Sequence, residues 1–493
     1  MSSPIAPAEA ASPTARLADE RRAWAGCIAT PAAEFGPAPL QVLSGSPPPG
    51  LLGTLYRNGP ARLERGGRRV GHWFDGDGAV LAVRFDGGGV TGTYRYVRSQ
   101  GFVDEEAAGR LLYGNYGMTA PGPVWNQWRR PLKNAANTSV LALPDRLLAL
   151  WEGGHPHRLD LDTLATHGLD DQAGPGGALG PREPISAHPK RDPESGDFYQ
   201  FGIEIPGRRA VLHLFRCDRH GRIRARGRHL LEGVPFIHDF VMAGPWLVFL
   251  VPPVRIKVLR VLLGVASYSD AMRWCPELGT RILIFDRRTL RLAAETESEP
   301  WFQWHFGNGA AAERGDLVLD FVRYEDFGTN QHLREVPGGR TVTPAHGRLW
   351  RLRLDPANGR VEELACVSDR SVEFPMVAPG RVGQAWTQTF MAIHRPGTDT
   401  TAERYNGLAR LDHPTAELVE ADLGDGRYPS EPVLAPDADN PDRHWLISVL
   451  YDGNADAGEV WIFDAAALGE GPVCVLALPG VVPLSFHGCW QGA

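Results

Sequence analysis

The chain has 493 residues, is 43% hydrophobic and carries a formal net charge of -7 with a pI near 6.2, so it can bury a large core and has no basic field to attract nucleic acid. Its six cysteines, at positions 27, 217, 275, 366, 474 and 489, include no C-x-x-C pair and are too sparse for a disulfide framework, which suits a reduced, cytoplasmic setting. No stretch reaches the roughly 18 apolar residues of a membrane span, and the Ala-, Pro- and Ser-rich first 45 residues lack the apolar segment of a secretion signal.

Residues 1–45 read as an irregular arm, and residues 46–493 as a single domain built from short strands broken by Gly, Pro, Asn and Asp. One pattern recurs: an alternating apolar strand, an aspartate, a few turn residues and a second strand. It surrounds Asp86 (AVRFDGGGVTGTY), Asp162 (RLDLDTLATHG), Asp218 (LFRCDRHGRIRARG), Asp286 (LIFDRRTLRLAAE), Asp355 (LRLDPANGRVEEL), Asp412 (ARLDHPTAELVEA) and Asp464 (WIFDAAALGEGPVCVLAL). The intervals of 76, 56, 68, 69, 57 and 52 residues each leave room for four short strands and their loops. Two or three such copies would be ordinary hairpins; seven at near-even spacing predict an all-β fold, a seven-bladed β-propeller.

Four histidines in apolar or turn surroundings, His188, His238, His305 and His487, are separated by 50, 67 and 182 residues. That spacing excludes a zinc knuckle or a helical His-x-x-x-His pair. On a propeller each falls in a different unit, and innermost strands bring such residues together at the axis. Each remaining unit offers a glutamate: Glu152 in LLALWEGG, Glu373 in SVEFPMV and Glu431 in PSEPVL, with Glu152 irregularly close to Asp162. Taken singly, such histidines are ordinary satisfied core groups; one per blade suits a first-row transition metal with carboxylates supporting the imidazoles. A six-coordinate iron would keep positions open for O2 or substrate, whereas a closed zinc tetrahedron would not. Trp151, Phe236, Trp304, Phe374 and Phe486 flank these residues and suit either core packing or an apolar channel.

From about Gly53 to the C terminus, the ordered motifs GTLYRNGP, HWFDGDG, KNAANTS, LLALWEGG, AHPKRDPESGDFY, FIHDF, WHFGNG, EFP, SEP and FHGCW resemble those of the carotenoid cleavage oxygenases. That non-haem iron family includes apocarotenoid oxygenases and the retinal-pigment isomerase. The resemblance implies a seven-bladed propeller with a small helical and loop cap over the metal. It implies one Fe(2+) per chain, held by His188, His238, His305 and His487, with Glu152, Glu373 and Glu431 supporting three of those rings. It further implies that Thr138 lies near an open coordination position and that Phe74, Trp151, Phe236, Trp304, Tyr324 and Phe374 line the substrate tunnel.

The expected activity is cleavage of a C=C bond of an apocarotenoid or carotenoid by O2 to give two aldehydes, such as retinal-type apocarotenoids. The alternatives are stilbene (lignostilbene or resveratrol) cleavage and a non-catalytic carotenoid-binding propeller. Stilbene-cleaving members place a lysine before the first supporting glutamate, where this chain has Trp151. Two departures from the family pattern, Trp304 in place of the usual Phe and the run Gly309–Ala312 in place of an acidic residue, predict an altered tunnel shape near the iron.

Three further motifs stand apart. Asp75 and Asp77 in HWFDGDG lack the glutamate of a calcium loop and read as a tight hairpin. His155-Pro-His157 reads as an exposed turn. Residues 254–265, VRIKVLRVLLGV, interleave Arg255, Lys257 and Arg260 with apolar residues. They suit either a basic amphipathic patch making peripheral membrane contact or a buried helix with one solvated edge.

Overall fold

A computed structural model of the protein describes residues 22–493, and in it seven antiparallel sheets of four to six strands form the blades of a propeller. The recurring hairpin is the outer pair of strands of each blade: Asp286, for example, ends Thr280–Asp286 and turns into Leu292–Ser298. The aspartate has a physical task there. Its carboxylate accepts the turn's own N–H groups, as at Asp286 from Thr289 N (2.7 Å), Asp355 from Ala357 N (2.9 Å) and Asp464 from Ala466 N (3.0 Å). In the second unit the acceptor is Asp160 rather than Asp162.

Except in the blade that contains Gly53–Arg62, the chain runs through each blade from the axis outward. Ser139–Leu143, Lys190–Arg191, Val241–Ala243, Phe302–Ala311, Val372–Met376 and Val433–Pro436 open six blades at or near the axis. The C-terminal strand His487–Gly492 supplies the seventh, pairing with Gly53–Arg62 so that His487 faces Asn58. The ring is thereby closed by the two ends of the domain. Between blades the core is apolar and dense: Trp301, Phe240, Phe249 and Phe285 are fully buried.

The irregular arm expected over residues 1–45 is corrected from Ala23 onward; residues 1–21 lie outside the described residues. Ala23–Ile28 forms a 3-10 helix that buries Trp24, while Phe35–Pro39 and Gln41–Gly45 are strands. The first adds to Val90–Tyr96 and the second to Cys474–Ala477, so the arm finishes the outer edges of two different blades. Its prolines hid this, because an edge strand has one unpaired side and tolerates residues that cannot donate.

HWFDGDG is not a hairpin: Trp73–Asp75 is a 3-10 turn leading into the strand Asp77–Phe85. Asp77 is buried between Arg65 (3.0 Å) and Lys133 (2.5 Å), an ion-paired strut rather than a cation site. His155-Pro-His157 is not an exposed turn either, since His157 is buried at the start of the strand His157–Leu159 and His155 bonds the Gly180 carbonyl at 2.9 Å.

Candidate metal centre and its cavity

Inner-strand geometry brings the four histidines to one point. His188 and His238 stand just ahead of their inner strands, whereas His305 lies within one and His487 opens another. Their ligand atoms all lie within 4.8 Å of one another. His188 Nε2 is 3.0 Å from His238 Nε2, which is 3.4 Å from His305 Nε2.

The opposite ring nitrogens show why this arrangement calls for a cation. His305 Nδ1 donates to Glu373 Oε2 at 2.6 Å, His487 Nδ1 donates to Glu431 Oε1 at 2.8 Å, and His238 Nδ1 abuts the Glu152 carboxylate. A ring that gives its Nδ1 proton to a carboxylate presents a bare lone pair at Nε2. Several such lone pairs at about 3 Å repel unless a positive centre lies among them. The donor set therefore fits a nitrogen-liganded transition metal. Burial, and then the neighbouring imidazoles, holds His188 well below the ordinary histidine pKa, so it too offers a neutral nitrogen.

The carboxylates are themselves held. Burial alone would raise Glu373, but His305, the Phe374 N–H (2.7 Å) and the Tyr324 hydroxyl (2.9 Å) together push it below its usual range. Glu431 is likewise lowered against burial by His487, Arg57 and the Gly488 N–H (2.8 Å). Glu152 is different. It follows the second strand of its blade, not the innermost, and its side chain is 28% exposed. The inner-strand position of that blade belongs instead to Thr138, which immediately precedes Ser139–Leu143.

Above three of the histidines opens a cavity of about 1090 Å³. Phe74, Thr138, Trp151, Phe236, Trp304, Tyr324 and Phe374 all line it, with Phe486 beside them. The rings interlock edge to face: Trp304 stands 5.5 Å from Phe74 at 82° and 5.8 Å from Phe236 at 82°. Trp304 spends its indole N–H on Thr329 Oγ1 at 3.0 Å, which lets an indole occupy an otherwise apolar wall. Phe374 has a left-handed backbone, φ 54°, at an irregularity in strand pairing, and its ring stacks 5.3 Å from His305. The Gly309–Ala312 run does not reach the cavity; Gly309, Ala310 and Ala311 pair with Leu319, Val318 and Leu317, so only Trp304 carries the expected change of shape. Sequence reasoning passed over Tyr116, His332, His394, Arg404 and Tyr405, which also face this space from cap loops and from the Gly328–Glu335 helix without any local motif to mark them.

The sequence profile of the retinal pigment epithelial membrane protein family matches residues 29–492. The chain belongs to that family. Within it, the chain is 32% identical to the apocarotenoid-15,15'-oxygenase of Synechocystis sp., over 92% of each chain. It is 27% identical to the resveratrol cleavage oxygenase 1 of Aspergillus fumigatus, over 85% of each. The crystal structure of cobalt-substituted Synechocystis ACO superposes with a TM-score of 0.86 at 30% identity, covering 96% of this chain and 98% of that one.

Proposed function

We propose that this family member is an iron(II)-dependent oxygenase that cleaves a C=C bond of an apocarotenoid or carotenoid with O2 to give two aldehydes. The observation that carries this is the set of converging imidazole lone pairs at the floor of an aromatic-lined cavity of about 1090 Å³. The relative named an apocarotenoid-15,15'-oxygenase, and the solved structure named as cobalt-substituted, support the same reading. His188, His238, His305 and His487 would hold the iron, which would supply the activation of O2. The double bond breaks, each of its carbons gains one oxygen atom, and O2 is the sole oxidant.

The chain's own residues do the rest. Glu152, Glu373 and Glu431 keep the ring protons on Nδ1. Phe74, Trp151, Phe236, Trp304 and Phe374 hold a rigid apolar chain and exclude water, and Thr138 flanks the metal from the remaining blade. Tyr324 acts through Glu373 as well as on the substrate wall. Trp151, where a phenol-binding lysine would stand, favours a polyene over a stilbene.

Residues 46–493, with the strands Phe35–Pro39 and Gln41–Gly45 on the edges of two blades, act as one domain, and the six free cysteines suit a cytoplasmic protein. Peripheral membrane contact through residues 254–265 completes the proposal. In its favour, Leu259, Leu262 and Val265 are 68%, 64% and 62% exposed beside Trp128 at 59%, while Val254 and Ile256 are buried and Val258 and Val261 pack against the core. No helix among the described residues is long and apolar enough to cross a membrane. An insoluble polyene reaches the cavity directly from such a surface. The test of the activity is incubation of the iron-loaded protein under air with apocarotenals, carotenes and resveratrol. Paired aldehydes from a polyene are expected; cleavage of resveratrol alone would assign it to stilbenes, and no cleavage with one iron bound would leave a carotenoid binder.

A further inference from the structure

One wall of the cavity holds a buried cation that the proposed cleavage does not use. Arg404 is 8% exposed and lines the cavity. Its Nη1 donates to His332 Nε2 at 2.7 Å, and His332 gives its Nδ1 proton to the Thr343 carbonyl at 2.7 Å, so this acceptor is a neutral imidazole. The guanidinium carbon lies 5.0 Å from the Trp73 ring centre and 5.9 Å from that of Tyr405. Among the described residues no carboxylate forms an ion pair with it. Glu373, whose charge reaches it, is already engaged by His305 and Tyr324. Other buried arginines of this protein are paired, as Arg65 is with Asp77 at 3.0 Å and Arg57 is with Glu431 at 4.0 Å.

A guanidinium removed from water without a counter-charge is costly, and here its Nε and Nη2 edge has no protein acceptor among the described residues. That edge is the fork that takes a carboxylate through two parallel hydrogen bonds. The site connects to the metal centre through neighbouring rings. Tyr405 stands 6.5 Å from Phe374, which stands 5.3 Å from His305. His394, 4.4 Å from Tyr405, is no rival ligand, since its nitrogens face Ser371 Oγ (2.9 Å) and the Glu403 carbonyl (3.2 Å).

We propose that Arg404 is a specificity-determining residue that binds a carboxylate end group, so that the preferred substrate is an apocarotenoid acid rather than the aldehyde, alcohol or hydrocarbon. This rests on the polyene-cleaving function proposed above. The test uses the metal-free full chain titrated with all-trans-retinoic acid, retinal and retinol, three probes with one polyene and different end groups, read by quenching of tryptophan fluorescence. The acid is expected to bind about tenfold or more tightly than the alcohol. Arg404→Met should erase that preference and leave retinol within about twofold, while Arg404→Lys restores part of it. Equal affinity of the unsubstituted protein for acid and alcohol overturns the proposal, and that comparison needs no variant. So does a preference that survives in Arg404→Met with an unchanged circular dichroism spectrum. Binding to metal-free protein does not require cleavage, so failure here leaves the oxygenase proposal standing. Failure of cleavage with selective binding intact leaves the end-group site standing.

Discussion

A single proton on each supporting ring decides what the other nitrogen of that ring can do. Glu373 holds the His305 proton while also accepting from Tyr324 and from the Phe374 N–H, so exchanging it for an amide disturbs three partners at once. Glu373→Gln should weaken metal retention by about 10- to 100-fold in a chelator competition. Glu152→Gln, at the partly exposed carboxylate, should cost less, and equal losses would contradict the contrast drawn between them. Asp75 offers a test away from the centre. Burial raises its carboxyl from 3.8 to about 7, although the Gly117 N–H (2.9 Å) opposes the shift. The folded state thus holds this proton more tightly than the unfolded chain, and the associated stability is present below pH 3.8 and lost as the pH rises to about 7. Asp75→Asn cannot ionise, so its melting temperature should gain on the unsubstituted protein across that window; parallel pH profiles would refute the assignment. At this scale the histidines and glutamates could be read from the sequence because short motifs surround them. Which glutamate meets which ring could not, since each pair spans 56 to 86 residues. Arg404 could not be found at all, because it sits in the polar run TDTTAERYNG and looks like a solvated loop cation.

Elements fail or succeed by what lies on their free sides. Phe35–Pro39 and Gln41–Gly45 cover sheet edges that would otherwise present unpaired N–H and C=O groups. Deleting residues 1–45 should lower the melting temperature and promote aggregation, measured by calorimetry and light scattering. An unaltered melting curve would mean that the two strands are ornamental. The Val258–Leu262 helix has the opposite character, with its two leucines mostly exposed among the described residues. Leu259→Glu with Leu262→Glu should abolish co-sedimentation with anionic vesicles and leave cleavage of detergent-solubilised substrate intact; unchanged co-sedimentation would remove residues 254–265 from the membrane proposal. The outer hairpins were legible because an aspartate that accepts its own turn's N–H groups is a local signal. Edge strands rich in proline carry no such signal. The blade around Asp162 was irregular for a visible reason: Glu152 comes from a loop after the second strand, and Thr138 takes the inner position.

The whole molecule converts separation in sequence into contact at an axis. Residues 299 positions apart, His188 and His487, place their rings 4.6 Å apart because each opens or precedes an inner strand and the last strand closes on the first blade. Seven repeats were enough to predict the ring, since each hairpin recurs at the outer side of its own blade. The helices Gln100–Ala108 and Gly328–Glu335 were not legible in the sequence, for they are only nine and eight residues long. The same closure makes the centre all-or-none, with the four imidazoles supplied by four separate blades. The most direct test of the account is therefore a paired measurement on unsubstituted protein and His238→Ala, both anaerobically reconstituted with iron: metal per chain, and carbonyl products from an apocarotenal under O2. About one iron per chain and two aldehydes that together contain all the substrate carbon are expected for the unsubstituted protein, with both lost in the variant. Undiminished cleavage by an iron-free His238→Ala protein would contradict the account.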